Sequence, residues 1–587
     1  MNESPFKTLH LTLWQTFTKK SFIIQFIVVI YLVSYCRNII AIPPLFFLMT
    51  FGAIIGLSFL LLRPIYGLFV IIFFIAGYLT PDTLPLIPFF GVGSLHTTDM
   101  IFGGMFLFII GRKLYYKFFY RHHYPLIRTP IDIPLILFFI TFVIALINGI
   151  TIHKANFNIA FRGFRMVSYY FLFFLITNMI RNKRDLTLFI RGVFFIAFIT
   201  AIVSIIQQIL GTSTPIIVGR IETLSTLGTT YGGVTRSVPT GIILVYLSFI
   251  SLGCIALTRR LEGKTILLGI SVIILGLGLL FTFYRIQWIS SFLALLLFFF
   301  LAPIQHKGRF IIYFLVAICT VICTVIAIPL FSSSSSGKLN KIINATQERI
   351  ISISKVRGIR GPKADTLKTR VQEIEDALIT IKDHPILGIG LGSRYKPIKD
   401  LLPRYFFEWG SSNKKDQKSS EETFPLDERL VRSRLSGRGK DFFKIPLIVG
   451  EKGLSTKPEA QEDLKKRKKQ SYYPALVSFI IAYTKKFGIH GLHCGLLEIV
   501  LRLGLVGFVP FIWLTALCLI RGFRNWEKVQ DPFLRVLCIG LTVSYVGILI
   551  TSLLESVFLS WRGSIAIPII WGINEVIYRL EGIEDKR

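Results

Sequence analysis

The chain has 587 residues, of which 53% are hydrophobic and 53 are phenylalanine, and its formal net charge is +33. A mean hydropathy of +0.63 and repeated apolar stretches long enough to cross a bilayer exclude an ordinary soluble globular protein and indicate a polytopic α-helical membrane protein. No nucleic-acid-binding motif accompanies the positive charge, so the charge does not point to a nucleic-acid partner.

The apolar stretches are predicted to form about fourteen membrane-spanning helices. The first stretch has no small-residue cleavage site, so it is interpreted as a span and not as a signal peptide. The predicted spans are residues 21–36, 43–62, 64–80, 97–111, 130–149, 164–180, 188–210, 238–257, 265–283, 286–304, 310–330, 491–520, 536–553 and 561–579. The predicted fold class is therefore an all-α polytopic membrane protein with one large loop between helices 11 and 12.

Basic residues are concentrated in alternate connections between the spans. These connections are Arg112–Arg128, Arg181–Arg184, Arg259–Lys264, Lys307–Arg309 and Arg521–Lys528. Because short cytoplasmic loops carry an excess of lysine and arginine, both termini are predicted to be cytoplasmic. The large loop is predicted to face outward despite its many basic residues, since long loops translocate largely regardless of charge. This topology places Arg220, Arg236, Arg285 and His493 on the non-cytoplasmic side.

The chain is predicted to contain three regions. Residues 1–331 form an N-terminal bundle of about eleven helices, residues 332–490 form the extracytoplasmic loop domain, and residues 491–587 form the C-terminal helices. Apolar residues at helical spacing predict a helix over 366–382, and the highly charged residues 402–475 are predicted to be a partly disordered insertion. The seven cysteines include no Cys-x-x-Cys pair, so neither a disulfide framework, a zinc site nor another cofactor is predicted.

Five short patterns occur in order along the chain. They are Ile205-Ile-Gln207-Gln-Ile-Leu-Gly211, Arg236-Ser-Val-Pro239, Phe283-Tyr-Arg285-Ile-Gln-Trp, Arg370 followed by Asp383-His-Pro385-Ile-Leu-Gly388-Ile-Gly390, and His493 followed by Gly504 and Gly507. No single pattern is specific, but the ordered set resembles the O-antigen ligase and O-antigen polymerase superfamily of bacterial membrane glycosyltransferases. The resemblance covers roughly residues 130–580. Cys494 stands where that family usually has asparagine, and Tyr284 and Ile286 stand where it usually has a small residue and glycine.

The resemblance implies a multi-pass enzyme of the bacterial inner membrane that acts in surface polysaccharide biosynthesis, such as that of lipopolysaccharide. The implied reaction transfers a glycan from an undecaprenyl-pyrophosphate carrier to a hydroxyl of a glycan or lipid acceptor, outside the cytoplasm and in contact with membrane lipids. The implied catalytic residues are Arg236, Arg285 and His493. The implied substrate-binding residues are Arg220, Arg370, Gly388 and Gly390.

The chemistry of these side chains suits such a transfer. The arginine guanidinium stays charged and binds phosphate oxygens through two parallel hydrogen bonds, so Arg236 and Arg285 would neutralise the leaving pyrophosphate. An imidazole with an ordinary pKa of about 6.5 is a suitable base near neutral pH. His493 is assigned that role, with His490 as the alternative. The chain contains no Asp-x-Asp pair, so a metal-independent reaction is predicted.

Each of these residues also has a simpler interpretation. Arg285 could be an interfacial anchor, and Arg236 could be an ordinary loop charge whose nearest acid, Glu222, lies closer in sequence to Arg220. The glycines after His384-Pro385 could form only a tight turn. In the predicted span after His493, the i,i+4 spacing of Glu498 and Arg502 favours an internal ion pair.

Three functions are compatible with these features. An O-antigen ligase-like glycosyltransferase is favoured, and a polysaccharide repeat-unit polymerase of the same superfamily is the first alternative. A flippase for lipid-linked sugars is the second alternative, but the chain shows no convincing internal repeat and few charges at the predicted midplane.

Overall fold

The structure is a computed structural model, and it describes residues 64–75, 87–89, 93–95, 97–119, 126–212, 214, 216–217, 219–226, 229–258, 263–302, 308, 364–393, 492, 494–560 and 563–583. Elements are numbered in order among these residues. The helices are α1 (Pro64–Ile75), α2 (Thr97–Phe119), α3 (Asp132–Thr151), α4 (Phe157–Ser168), α5 (Leu172–Met179), α6 (Lys183–Leu210), α7 (Ile242–Thr258), α8 (Gly263–Leu280), α9 (Arg285–Leu301), α10 (Ala364–Asp383), α11 (Gly495–Asn525), α12 (Pro532–Ser552) and α13 (Gly563–Leu580). The strands are β1 (Ile87–Phe89), β2 (Gly93–Leu95), β3 (Gly219–Thr226) and β4 (Thr229–Pro239), paired as two antiparallel hairpins.

The described part of the chain is mostly helical, which confirms the helical, multi-pass membrane class. Five of its helical segments are long and apolar enough to cross a membrane. These are Asp132–Thr151, Phe157–Met179, Lys183–Gln208, Gly495–Lys528 and Pro532–Ser552. The predicted spans 21–36, 43–62 and 310–330 lie outside the described residues, and the total of fourteen stays a prediction.

Polar caps fix where several of these helices begin. The Asn182 side chain accepts a hydrogen bond from the Asp185 amide and starts α6 at Lys183, five residues before the predicted span. At α12, the Asp531 carboxylate accepts from the amides of Phe533 and Leu534. Such caps satisfy amide groups that the first helical turn leaves without partners.

Helix α7 lies at the centre of the bundle and is buried along most of its length. It packs against α6, α8, α9 and α12. Small residues allow neighbouring helices to approach closely, as they do in other membrane bundles. A Cβ added to Gly278 of α8 would lie 2.8 Å from Cα of Ala201 on α6, so these two backbones are in direct contact. In contrast, one face of α3 carries exposed aliphatic side chains that suit contact with lipid: Ile133, Ile136, Leu137, Ile140, Ile144 and Ile147.

A buried ion pair joins the C-terminal ends of α11 and α13. The Arg521 guanidinium binds the Glu575 carboxylate through two hydrogen bonds of 2.7 and 3.0 Å, and it also lies over the Tyr578 ring. Charges buried in a membrane bundle are tolerated when they are paired in this way. The pair therefore holds α11 and α13 together at the end of the bundle opposite to the start of α11.

Candidate functional site

The β3–β4 hairpin brings two of the predicted arginines onto one carboxylate. Its register places Glu222 directly opposite Arg236. Oε1 of Glu222 lies 3.0 Å from Nη1 of Arg236, and its Oε2 lies 2.8 Å from Nε of Arg220. Although Glu222 is closer in sequence to Arg220, it therefore binds both arginines, because strand pairing brings together residues fourteen positions apart. Because one carboxylate lies between two guanidinium groups, this cluster of three side chains keeps a net positive charge.

The two arginines differ in how firmly the structure holds them. The side chain of Arg220 is 59% exposed, whereas that of Arg236 is only 18% exposed. The Arg236 guanidinium also lies 5.2 Å from the centroid of the Tyr284 ring, which is a cation–π contact. Arg236 is therefore the more rigidly placed cation of the pair.

Tyr284 connects Arg236 to the second predicted arginine. It is the N-cap residue of α9, and Arg285 is the first residue of that helix and is half-buried. The N-terminal end of a helix carries a partial positive charge that adds to the attraction of an anion. Arg236 and Arg285 thus lie on adjoining elements at the same end of the bundle.

Glu555 connects the start of α11 to the end of the bundle that carries Tyr284 and Arg285. Its carboxylate accepts a hydrogen bond from the Tyr284 hydroxyl. Its carbonyl oxygen would lie 2.8 Å from a Cβ added to Gly495, the first residue of α11. His493, two residues before Gly495, and His490 lie outside the described residues. Glu555 was not among the predicted site residues. The only sequence signal for it is its position in a connection between two predicted spans that the predicted topology places on the outer side.

The glycine-rich turn after α10 is inserted into a break in α11. Gly504 has φ 63° and ψ −166°, which interrupts the helix. The amides of Leu505 and Val506 donate to the carbonyls of Pro385 and Ile386, at 2.9 and 3.2 Å. In a continuous helix those amides would bind the carbonyls of residues four positions earlier. The break therefore redirects two helical hydrogen bonds to the turn.

The turn returns hydrogen bonds to the helix and to α3. The amides of Ile389 and Gly390 donate to the carbonyls of Leu501 and Arg502, at 2.9 and 3.0 Å, and the Leu391 amide donates to Ala145 at 2.9 Å. The backbone of residues 388–392 therefore joins α3 to α11.

Glycine is required in this turn for both its conformation and its size. Gly388 and Gly390 have φ 62° and 76°, which favour glycine. A Cβ on Gly388 would lie 2.6 Å from the Leu501 carbonyl oxygen, and one on Gly390 would overlap the backbone of Gly149. The role of these two glycines in substrate binding stays a prediction, and the structure gives them a backbone role in addition.

Side chains reinforce the insertion. Nδ2 of Asn148 on α3 donates to the Gly388 carbonyl at 3.0 Å. Arg502, which is buried, donates to the carbonyl of Ser393, and Glu498 accepts from the Ser556 hydroxyl. Arg502 thus has a structural role, because it binds the backbone at the end of the turn. Arg370 lies on α10, and its side chain is not among the described ones.

Two histidines meet where the turn approaches α3. The rings of His153, just after α3, and His384, just after α10, lie 4.9 Å apart at an interplanar angle of 87°. The pKa of His153 is lowered from 6.5, first by burial and then by the neighbouring His384. In the folded protein, His153 thus binds a proton less readily than it does in the unfolded chain.

This pair predicts a loss of stability in mild acid. The contribution of His153 to the free energy of unfolding is fully present above pH 6.5. It is lost as the pH falls below 6.5 towards the lower pKa of the folded state, because in that range the unfolded chain binds a proton that the folded protein does not. We expect the melting temperature of the detergent-solubilised protein to fall less between pH 7.5 and 5.5 for His153→Gln than for the unsubstituted chain. Equal pH dependence in the two proteins would contradict this assignment.

The family model described as O-Antigen ligase matches residues 270–424 of the chain. The matched stretch includes Tyr284, Arg285, α10 and the glycine turn. The match confirms the resemblance to the O-antigen ligase and polymerase superfamily, whose members are glycosyltransferase-like membrane enzymes. No curated protein matches the chain.

Proposed function

We propose that this chain, with its O-antigen ligase family match, is a membrane glycosyltransferase that moves a glycan from an undecaprenyl-pyrophosphate carrier to an acceptor hydroxyl. The observation that carries the proposal is the convergence of three elements at one end of the bundle. Arg236 on β4 lies over Tyr284, Tyr284 precedes Arg285 and binds Glu555, and the Glu555 carbonyl packs on the first residue of α11. The arginines predicted for leaving-group stabilisation thus lie close to Gly495, which follows the predicted base His493 by two residues in the sequence.

In the proposed reaction, the acceptor hydroxyl oxygen attacks the anomeric carbon that carries the pyrophosphate. The new carbon–oxygen bond forms as the bond to the carrier pyrophosphate breaks, and the hydroxyl proton passes to His493. Negative charge that develops on the leaving pyrophosphate is neutralised by Arg236 and Arg285. Preorganised charge of this kind acts most strongly where water is partly excluded.

Glu222 has a positioning role in this scheme. It orients Arg236 through the 3.0 Å contact and leaves the guanidinium only partly neutralised, because Arg220 shares the same carboxylate. The remaining positive charge favours an anionic ligand over a neutral one. Arg220, being exposed, would meet the outer part of the donor.

A transfer assay on the purified full-length protein tests the proposal. The donor is undecaprenyl-pyrophosphate-linked glycan, and EDTA is present. We expect transfer to the acceptor with release of undecaprenyl pyrophosphate, and a rate roughly 100-fold lower for His493→Ala, since general-base catalysis contributes at least that factor.

His490→Ala is the matched control and should retain most of the activity. Full turnover by His493→Ala together with an inactive His490→Ala would move the base to His490. Loss of wild-type transfer in EDTA that magnesium restores would contradict the metal-independent mechanism. Absence of transfer to any acceptor, together with movement of the lipid-linked glycan across vesicle membranes, would favour a transporter.

The same assay separates the ligase from the polymerase. A ligase transfers the glycan to a lipid A core or another distinct acceptor, whereas a polymerase joins two carrier-linked repeat units. We propose the ligase-like activity, because the ordered motifs around Gly388 and His493 resemble that branch. Formation of lengthened carrier-linked glycan without a separate acceptor would identify the polymerase instead.

A further inference from the structure

Two buried glutamines near the candidate site have amide atoms that lack hydrogen-bond partners within the described part of the chain. Gln208 on α6 and Gln287 on α9 are only 2% and 4% exposed. Neither Oε1 nor Nε2 of Gln208, nor Oε1 of Gln287, has a partner among the described residues. Burial without a partner is costly for an amide, so such groups point to something that binds there.

The side-chain amide of the preceding residue, Gln207, has a structural role and is fully hydrogen-bonded, in contrast to that of Gln208. Its Nε2 donates to the carbonyls of Gly211 and Thr214, and its Oε1 accepts from the Ile216 amide at 2.8 Å. Those bonds hold the segment that leads from α6 into the β3–β4 hairpin. Within the described residues, the Gln208 amide makes no such bond.

Helix packing places Gln208 at the level of the arginine site. Helices α6 and α8 touch at Ala201 and Gly278, and both run towards the hairpin, where α6 leads into β3 and the turn after α8 meets Arg236. Gln208 is seven residues beyond Ala201 on α6, and Arg285 follows the turn at the end of α8. At about 1.5 Å per residue, Gln208 lies roughly 10 Å beyond the contact on nearly the same face of α6. Helix α6 also packs against β4, the strand that carries Arg236.

Gln287 belongs to the same region because it lies in the first turn of α9, two residues after Arg285. Two further polar atoms there, Nε of Arg236 and Oγ of Ser237 on β4, are buried and have no hydrogen-bond partner in the described part of the chain. Buried polar atoms that have no hydrogen-bond partner among the described residues thus occur on three elements, α6, β4 and α9, at the end of the bundle that carries Tyr284 and Arg285.

The kinds of atom left without partners indicate the class of ligand. An amide oxygen accepts hydrogen bonds only, so the two glutamine oxygens need a ligand that donates. Ionised phosphate oxygens do not donate, whereas a hydroxyl group both donates and accepts. A ligand with hydroxyl groups beside an anionic group therefore fits the glutamines and Arg236 together.

We propose that Gln208 and Gln287 bind hydroxyl groups of a sugar at the reaction site, a specificity role that rests on the proposed glycosyltransferase function. The sugar is the one linked to the carrier pyrophosphate, or the acceptor sugar that faces it. In either case the glutamines select for hydroxyl groups, while the arginines bind the pyrophosphate.

Binding measurements with two probes test this proposal. The probes are undecaprenyl pyrophosphate and the same carrier bearing the glycan used in the transfer assay. We expect Gln208→Met and Gln287→Met to weaken binding of the glycan-bearing carrier about three- to tenfold, the loss of one hydrogen bond, and to leave binding of the bare carrier unchanged. If the sugar is that of the acceptor, the same factor will appear in the KM for the acceptor.

Methionine has a similar size and removes the orphan atoms, so the melting temperature without ligand should stay the same or rise. Thr200→Val is the matched control, because the buried Thr200 hydroxyl already donates to the Ile196 carbonyl of its own helix at 2.8 Å. It should leave both affinities unchanged.

The outcomes separate this inference from the proposed function. The sugar-binding role would be overturned if the variants bound both carriers and the acceptor as tightly as the unsubstituted protein does. It would also be overturned if the variants lost equal affinity for both carriers. The sugar-binding role would also be overturned if the unsubstituted protein bound both carriers equally tightly and the variants kept the same KM for the acceptor. That result would leave the proposed function intact. An unsubstituted protein that binds neither carrier would contradict the proposed function itself.

Discussion

Arg236→Ala is expected to slow glycan transfer by about 100- to 1,000-fold, whereas Arg220→Ala should slow it by about tenfold or less. Both arginines bind Glu222, but only Arg236 is largely buried and packed over Tyr284. A rigid, partly dehydrated cation stabilises a developing charge more than an exposed and mobile one does. The measurement is kcat and the donor KM for each variant in the transfer assay.

Arg236→Lys separates charge from geometry. It keeps the positive charge but loses the planar fork and its stacking on the Tyr284 ring, so we expect an activity nearer to that of Arg236→Ala than to that of the unsubstituted protein. Melting temperatures within a few degrees of the unsubstituted protein would show that the fold is kept. Equal losses for Arg220→Ala and Arg236→Ala would contradict the assignment of Arg236 as the principal cation.

Gly504→Val is expected to destabilise the protein by at least about 3 kcal/mol and to abolish a stable fold in detergent. At φ 63° and ψ −166°, the backbone of Gly504 is accessible essentially only to glycine. A Cβ there would overlap the Ile386 carbonyl, which accepts one of the redirected hydrogen bonds of α11. The measurement is the yield of monodisperse protein and its melting temperature after solubilisation.

Gly269→Ala on α8 is the matched control, since a Cβ at that helical position meets no atom within 4 Å. Its stability should be unchanged or higher by up to about 1 kcal/mol, because alanine favours the helix. A Gly504→Val protein that melts and transfers glycan like the unsubstituted chain would show that the inserted turn does not depend on this break.

The positions of the helices could be predicted from the sequence because hydropathy is a local property. Each predicted span within the described residues overlaps an observed helix. The boundaries were less accurate where polar residues belong to a helix. The segment Phe157–Met179 begins before the predicted residue 164, because Arg162 and Arg165 interrupt the apolar run while the chain is already helical.

The geometry of the site could not be predicted in the same way, because it depends on pairs distant in sequence. The contact of Arg236 with Glu222 follows from a hairpin register, and that of Tyr284 with Glu555 joins residues 271 positions apart. Motif spacing identified Gly388, Gly390 and Gly504, but it gave no sign that the first two occupy a turn inserted at the third. Such an insertion requires knowledge of which helices are neighbours.

The inserted turn also fixes Ser393, one of the two described residues that flank positions 394–490 of the sequence. The carbonyl of Ser393 is bound by Arg502 of α11, and the buried Leu492 lies just before the same helix. Both attachment points therefore lie close to the first two turns of α11. The entropy of closing a chain between fixed points grows only logarithmically with its length, by about 0.6 kcal/mol for each doubling. A longer sequence between residues 393 and 492 would therefore add little to the free-energy cost of keeping these two ends in place.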